Sequence, residues 1–266
     1  MSGWNPSASD LPVSPLLESI REAIATVTGS SLVGLYLCGS LATGDFDADV
    51  SDIDLIAVLA DAPSERLATR LRRMHGAFAQ ANPAWDDRIE VIYISTHGLA
   101  NCRTATTIIA VISPGEPFHV IEAGRDWILN WHPARDTGMR LIGPPIDSLI
   151  PPIPSTEYIE EVRRSLVGFT NRIADDAAPG SQAYAILTMC RGLYAIRFGD
   201  RLSKRAAAAW AQQEFPQWAD LIRRALGWRQ RQWDPDRQDG AATVSETRSF
   251  VAEIAKLTEG GQASVS

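Results

Sequence analysis

Early in the 266-residue chain, two short runs hold the residue types that phosphoryl chemistry needs: Gly39-Ser40, which closes an apolar stretch, and Asp52-Ile53-Asp54, which opens another. Side chains alternate between the faces of a strand, so Asp52, Asp54, Ile56 and Val58 share one face while Ile53, Leu55, Ala57 and Leu59 share the other. Two like charges at neighbouring same-face positions repel, and burial sharpens the repulsion unless a cation lies between them. Oxygen-only ligands suit Mg²⁺ or Mn²⁺, which keep water and recruit substrate phosphates to complete an octahedron. Asp-x-Asp taken by itself is equally a turn running into a strand, since Asp is common in turns. Gly39-Ser40 supplies the other half: glycine lets the backbone approach a ligand closely, and a helix opening behind it offers free N–H groups and a hydroxyl to a phosphate.

These residues need a sheet to hold them. Short β-rich runs at 32–38 (LVGLYLC), 53–60 (IDLIAVLA) and 88–95 (RIEVIYIS) alternate with a helical pattern at 64–81, which predicts an α/β unit with a mixed sheet. Ser14-Pro15 reads as a hydroxyl cap followed by proline at the first helical position. The proline-rich run GPPIDSLIPPIP, 143–154, suits an extended linker. Beyond it the patterns are helical, at 156–174, 182–198, 204–214, 217–230 and 244–258, with Ser203 capping the third. The fifth carries a capping box, Thr243 to Glu246, and Gly260-Gly261 past its end. The expected organisation is an α/β domain over 1–154 and an all-α helical bundle over 155–266, with the chain ends and WDPDRQDGAA at 233–242 mobile.

Composition narrows the function classes. With 45% hydrophobic and 21% charged residues and no run of 18 apolar residues, the chain reads as an ordinary globular protein with no membrane span. A net charge of -7 argues against a general nucleic-acid binder and agrees with a cationic small-molecule substrate. Cys38, Cys102 and Cys190 are scattered, and His75, His97, His119 and His132 show no zinc spacing, so disulfides and zinc are not expected. The N-terminal MSGWNPSASDLPVSP lacks the basic end and apolar core of a signal peptide, so the cytoplasm is the expected location and a monomer the expected state. Trp127 and Trp131, four residues apart, are expected to pack together at the domain junction.

Gly39-Ser40, a spacer and Asp52-Ile53-Asp54 opening a strand together resemble the nucleotidyltransferase superfamily related to DNA polymerase beta. That resemblance implies a third carboxylate on an adjacent strand. Glu90, which shares its face with Arg88, Ile92 and Ile94, is the candidate; the alternative is a solvated strand start paired with Arg88. RDWILNWHPARDTGMRLIGPPIDSLIPPIP and AYAILTMCRGLYAIRFGDRLSKRAAAAWAQQEFP narrow it further, since both are similar to stretches of aminoglycoside adenylyltransferases that act on streptomycin and spectinomycin.

The resemblance implies Mg²⁺-dependent transfer of AMP from ATP to an antibiotic hydroxyl, conferring resistance, with a helical C-terminal domain that closes over nucleotide and antibiotic. It implies that Ser40 and Ser51, with Gly39, meet the nucleotide phosphates. Asp52 and Asp54 are then metal ligands, joined by Glu90 at a second metal, and Glu90 is also the general base. Arg191 and Lys204 bind phosphate. On the acceptor side the chain departs from the pattern. Segment 96–124 lacks the tryptophan-bearing stretch of the streptomycin enzymes, Arg172 and Ala177 fall near the tryptophan and aspartate associated with streptomycin, and Ser181 replaces a substrate-contacting aspartate. Asp175 and Asp176 are candidate ammonium partners or simply a helix end and turn, and compact spectinomycin is favoured over streptomycin. Two other readings stand beside this one: another hydroxyl acceptor (protein, tRNA or metabolite), and a catalytically idle nucleotide-binding regulatory protein.

Overall fold

The apolar runs form the centre of a six-stranded mixed sheet. In the computed structural model, which describes residues 11–229 and 240–259, the strands are β1 (Leu32–Cys38), β2 (Ile53–Leu59), β3 (Ile89–Ser95), β4 (Thr107–Ser113), β5 (Glu116–Ala123) and β6 (Met139–Ile142). Their spatial order is β5-β4-β3-β2-β1-β6. Among the described residues only β2 and β3 pair in parallel, joined by a crossover helix; the other neighbours are antiparallel.

That crossover runs Glu65–Ala81, with the Ser64 hydroxyl accepting the Leu67 N–H as its cap. Numbered in chain order, the helices of this part are α1 (Ser14–Thr28), α2 (Gly39–Thr43), α3 (Glu65–Ala81, the crossover), α4 (Thr96–Ala100) and α5 (Ile128–Thr137). Ser14 lies inside the first turn of α1, not at its cap; Val13 is the cap residue, and no side chain bonds there. Leu17, Ile20 and Ile24 of α1 and Leu71 and Phe78 of α3 pack on the face formed by Leu37, Leu55, Ala57, Val91 and Tyr93. The second face is buried in its middle as well, at Tyr36, Ile56, Val58, Ile92 and Ile94. Asp54 and Glu90 lie on that second face at the end of the sheet, where burial is only partial.

Three elements were not foreseen. Segment 96–124 is a short helix followed by the β4–β5 hairpin, and β6 adds an edge strand beside β1. The proline-rich run is not a plain linker, because it holds a 3₁₀ turn at Ile146–Ser148 and buries Ile146, Ile150 and Ile153. Trp127 and Trp131 do stack, with ring centroids 5.8 Å apart.

The chain divides into two compact units, Met1–Ile153 and Pro154–Ser266. The second is helical: α6 (Ser155–Phe169), α7 (Pro179–Phe198), α8 (Lys204–Glu214), α9 (Ala219–Arg229) and α10 (Gly240–Glu259). α7 is the central helix, buried on most sides along Ala183–Ala195, with the other four packed around it. It meets α6 so closely that a Cβ on Gly192 would lie 2.7 Å from the Leu166 methyl groups. α6 ends at Phe169, five residues before its predicted end, and α9 is entered through a 3₁₀ turn at Pro216–Trp218.

The predicted capping box does not cap. α10 starts at Gly240, and the Thr243 and Thr247 hydroxyls instead donate to Oε1 of the fully buried Gln182, at 2.9 and 2.8 Å. The Gln182 amide in turn donates to the Ala177 carbonyl at 2.7 Å, so this one side chain fastens α7 to α10 and to the loop before it. Gly260-Gly261 and most of 233–242 lie outside the described residues.

Candidate active site

The sheet register assembles what the spacing could not. Cys38 pairs with Asp54 across β1 and β2, and Asp54 pairs with Glu90 across the parallel β2 and β3. On β4, Ser113 follows the Val91–Ile112 pair and donates its hydroxyl to Glu90 Oε2 at 2.6 Å. One row on one face therefore reads Cys38, Asp54, Glu90, Ser113, with Asp52 on the same side just before β2 begins. Neighbouring strands lie roughly 5 Å apart, and at an effective dielectric near 20 two unit charges at that distance repel by about 3 kcal/mol. A divalent cation held at this end of the row would offset that repulsion.

Cys38 registers the same field. Burial first, then the charges of Asp54 and Glu90, push its thiol far above the usual range, so it stays protonated and inert. The three acids are half-buried, not sunk in a dry sheet, so water reaches them. Among the described residues no three His, Cys, Asp or Glu side chains close into a metal cluster. The donor set at this end is partial and all oxygen, which fits an ion that completes its shell with water and substrate phosphate, as Mg²⁺ and Mn²⁺ do.

Gly39 leaves open the space beside the Asp54 carboxylate. Its φ is +64°, in the left-handed region, and a Cβ there would stand 1.8 Å from Asp54 Oδ2. The single-turn α2 starts at this residue, with Ser40 half-buried in its first turn and Gly44 (φ +78°) ending it. The spacer is a knot of local bonds: the Asp47 N–H donates to Ser51 Oγ at 3.0 Å, and the Ser51 N–H to the Asp47 carbonyl at 2.7 Å. Ser51 is 2% exposed, and its hydroxyl braces the turn that delivers Asp52.

Arg88 braces the same turn. Its guanidinium donates to the carbonyls of Ala48 and Ser51, at 2.8 and 2.6 Å, and lies 4.3 Å from the centre of the Trp85 ring, which stacks on Phe46. The sequence marked Arg88 as a partner for Glu90; these bonds make it the clamp of the 46–51 loop.

In the helical unit, Arg191 stands mid-α7 with an exposed side chain, and its Nε donates to the Leu202 carbonyl at 3.2 Å. That bond draws it to the connection in which Ser203 caps α8 by accepting the Ala206 N–H, with Lys204 the first helical residue. Two of the predicted phosphate contacts thus lie near each other in this unit, beside a helix start of the kind that favours anions.

The predicted acceptor residues are less uniform. Asp175 is exposed and pairs with Arg248 at 2.7 Å, while Asp176 is exposed in the same loop and Ser181 exposed in the first turn of α7. Ala177 is buried under that loop, and Arg172 lies over the Phe169 ring at 5.3 Å. Sequence reasoning missed Ser113, whose serine in a turn-like SPGE run carries no signal of its own, and it missed the clamp role of Arg88.

Two family models match the chain. Residues 17–94 match the family model of a nucleotidyltransferase domain, and residues 148–254 that of the aminoglycoside adenylyltransferase C-terminal domain. No curated protein matches the chain. Among solved structures the chain is similar in fold to spectinomycin adenyltransferase AAD(9) from Enterococcus faecialis, solved with ATP and spectinomycin, with a TM-score of 0.71. At 16% identity the alignment covers 91% of this chain and 98% of that one.

Proposed function

The chain belongs to the aminoglycoside adenylyltransferase family of the nucleotidyltransferase superfamily, and we propose that it transfers AMP from ATP to a hydroxyl of an aminocyclitol antibiotic, spectinomycin before streptomycin. The observation that carries the reading is the row in which Asp54 and Glu90 stand side by side against Gly39, at the mouth of the parallel β2–β3 pair. That it is a nucleotidyltransferase follows from the family, and ATP is the co-substrate of the proposed reaction.

In the proposed reaction the acceptor hydroxyl attacks the α-phosphorus in line. The new P–O bond forms as the bond to pyrophosphate breaks, leaving an AMP ester. Glu90 takes the hydroxyl proton, for which its place beside Asp54 and its hydrogen bond to Ser113 give a fixed carboxylate on the row. Asp52 and Asp54 would hold Mg²⁺, which when bound draws electron density from the phosphate oxygens and offsets their charge. Gly39 and Ser40 supply backbone approach at the start of α2, and Ser51 holds the turn that aims Asp52. Arg191 and Lys204 offset charge on the triphosphate as it shifts toward the leaving pyrophosphate.

The acceptor preference rests on two supports. AAD(9), similar in fold, was solved with spectinomycin. Arg172 stands exposed near the place of a streptomycin-binding tryptophan, where its charge repels a guanidinium substrate. Asp176 and Ser181 are the proposed acceptor contacts, with Asp175 beside them; because Arg248 already pairs with Asp175 Oδ1 and offsets one of the two aspartate charges, a second reading stands in which the hydroxyl belongs to another acceptor, a protein, tRNA or metabolite. Cytoplasmic action on the antibiotic gives resistance as the outcome.

The experiment is pyrophosphate release from Mg-ATP in the presence of a panel of aminocyclitols and aminoglycosides. Release with spectinomycin above the others supports the proposal. Release only with other hydroxyl compounds transfers it to the second reading, and ATP binding with no release for any acceptor supports the idle nucleotide-binding protein.

A further inference from the structure

We propose that Ser113 is a positioning residue for Glu90, and that the β4–β5 hairpin is the device that aims it. The proposal rests on the assignment of Glu90 as the base. A glutamate has three rotatable bonds, and a base works only within a narrow range of geometry. Ser113 Oγ donates to Glu90 Oε2 at 2.6 Å, the length of a charge-assisted O–H···O⁻ bond. The bond crosses directly from one strand to the next, because Val91 pairs with Ile112 and the following row puts Glu90 opposite Ser113.

Two independent features fix the hydroxyl. The β4–β5 register shifts between Val111 and Ser113, an irregularity of the kind that re-aims a side chain beside an active site. The turn that follows is tied back to the segment entering β3: the Gly115 N–H donates to Asp87 Oδ1 at 2.6 Å, with Gly115 at φ +78° and Asp87 at φ +59°. Asp87 lies three residues before Glu90, so the hairpin grips the start of β3 at both its turn and its last strand residue. On the opposite face Ile112 packs on the core beside Val91, which keeps β4 from sliding.

The test uses the full chain with Ser113→Ala, Ser113→Thr, Glu90→Gln and the double variant Ser113→Ala/Glu90→Gln, assayed by pyrophosphate release with Mg-ATP and spectinomycin. Ser113→Ala should lower kcat by about ten- to a hundred-fold, the usual cost of losing a partner that orients a functional ligand. The KM for ATP and the melting temperature should hold, and Ser113→Thr should restore kcat to within a few-fold. The double variant should be no slower than Glu90→Gln, because the two groups act as one. A wild-type kcat in Ser113→Ala beside an inactive Glu90→Gln overturns the positioning role while sparing the base; an active Glu90→Gln overturns the base and the role with it. Crystal structures of wild type and Ser113→Ala decide the matter whatever the acceptor: a Glu90 carboxylate ordered in one rotamer only when Ser113 is present supports the proposal, and an unmoved carboxylate in Ser113→Ala overturns it.

Discussion

Replacing Gly39 by alanine should silence the enzyme while leaving it folded, and the structure separates the two effects. At φ +64° a residue with a Cβ carries a backbone cost of about 1–2 kcal/mol. A domain of this size loses about 2–4 °C of Tm for each kcal/mol, so a fall of several degrees is expected. The larger effect is local. The new methyl would stand 1.8 Å from Asp54 Oδ2, 2.6 Å from its Cγ and 3.1 Å from its Cβ. The Asp54 backbone need not move, but the carboxylate must swing away from the row by more than 1 Å, and a misplacement of that size costs about 10²-fold in rate. Gly29 supplies the control: its φ is +56° and its ψ −133°, a backbone conformation that also disfavours a Cβ, with nothing within 4 Å of an added Cβ, so Gly29→Ala carries backbone strain without the clash. Thermal unfolding and pyrophosphate release on both variants are the assay. Both should lose Tm, and only Gly39→Ala should lose turnover. Turnover in Gly39→Ala within about threefold of Gly29→Ala would refute the idea that the glycine keeps space for Asp54.

Other expectations follow from the same geometry. Burial holds the His75 imidazole, hydrogen-bonded through Nε2 to the Tyr93 hydroxyl, at a pKa of about 4 against an ordinary 6.5. Between those values the unfolded chain binds a proton that the folded chain rejects, so stability is full above about 6.5. It falls as pH drops toward 4 by up to about 3 kcal/mol, at 1.36 kcal/mol per pH unit. Urea unfolding across this window should show the fall and His75→Gln should flatten it; equal slopes for the two proteins would contradict the buried neutral histidine. Calorimetry in the presence of Mg-ATP should show spectinomycin binding at least tenfold more tightly than streptomycin, and Arg172→Trp should narrow the gap; tighter streptomycin binding by the wild type would refute the acceptor preference.

How far the sequence foretells this arrangement differs from element to element. β1 and α8 were legible to the residue, because LVGLYLC is a continuous apolar run and Ser203 caps α8 through a local bond. The β4–β5 hairpin was not, since Ile108 and Val120 are exposed while Glu116 and Glu122 interrupt the apolar rhythm, and the pairing that makes these residues strands is tertiary. Thr243 shows the opposite failure: a correct local capping signal lost to a buried partner, Gln182, that lies 61 residues away in sequence. For the candidate site, residue type pointed to Asp52 and Asp54, and the family resemblance to Glu90. That Asp54 and Glu90 are neighbours depends on a parallel register across a crossover helix, which no local spacing encodes. The bond of Ser113 to Glu90 and the bonds of Arg88 to the 46–51 loop left no trace in sequence because they are made only in the folded state.

The most direct test of the central assignment follows the nucleotide itself. ATP labelled at the α-phosphate, incubated with Mg²⁺, spectinomycin and the wild-type protein, should pass its label to spectinomycin with one pyrophosphate released per transfer. Asp54→Asn should bind ATP yet transfer nothing, because the substitution keeps the side-chain volume and removes the charge beside Glu90. Transfer by Asp54→Asn at the wild-type rate, or label that leaves ATP as free AMP with no acceptor modified, would contradict the account.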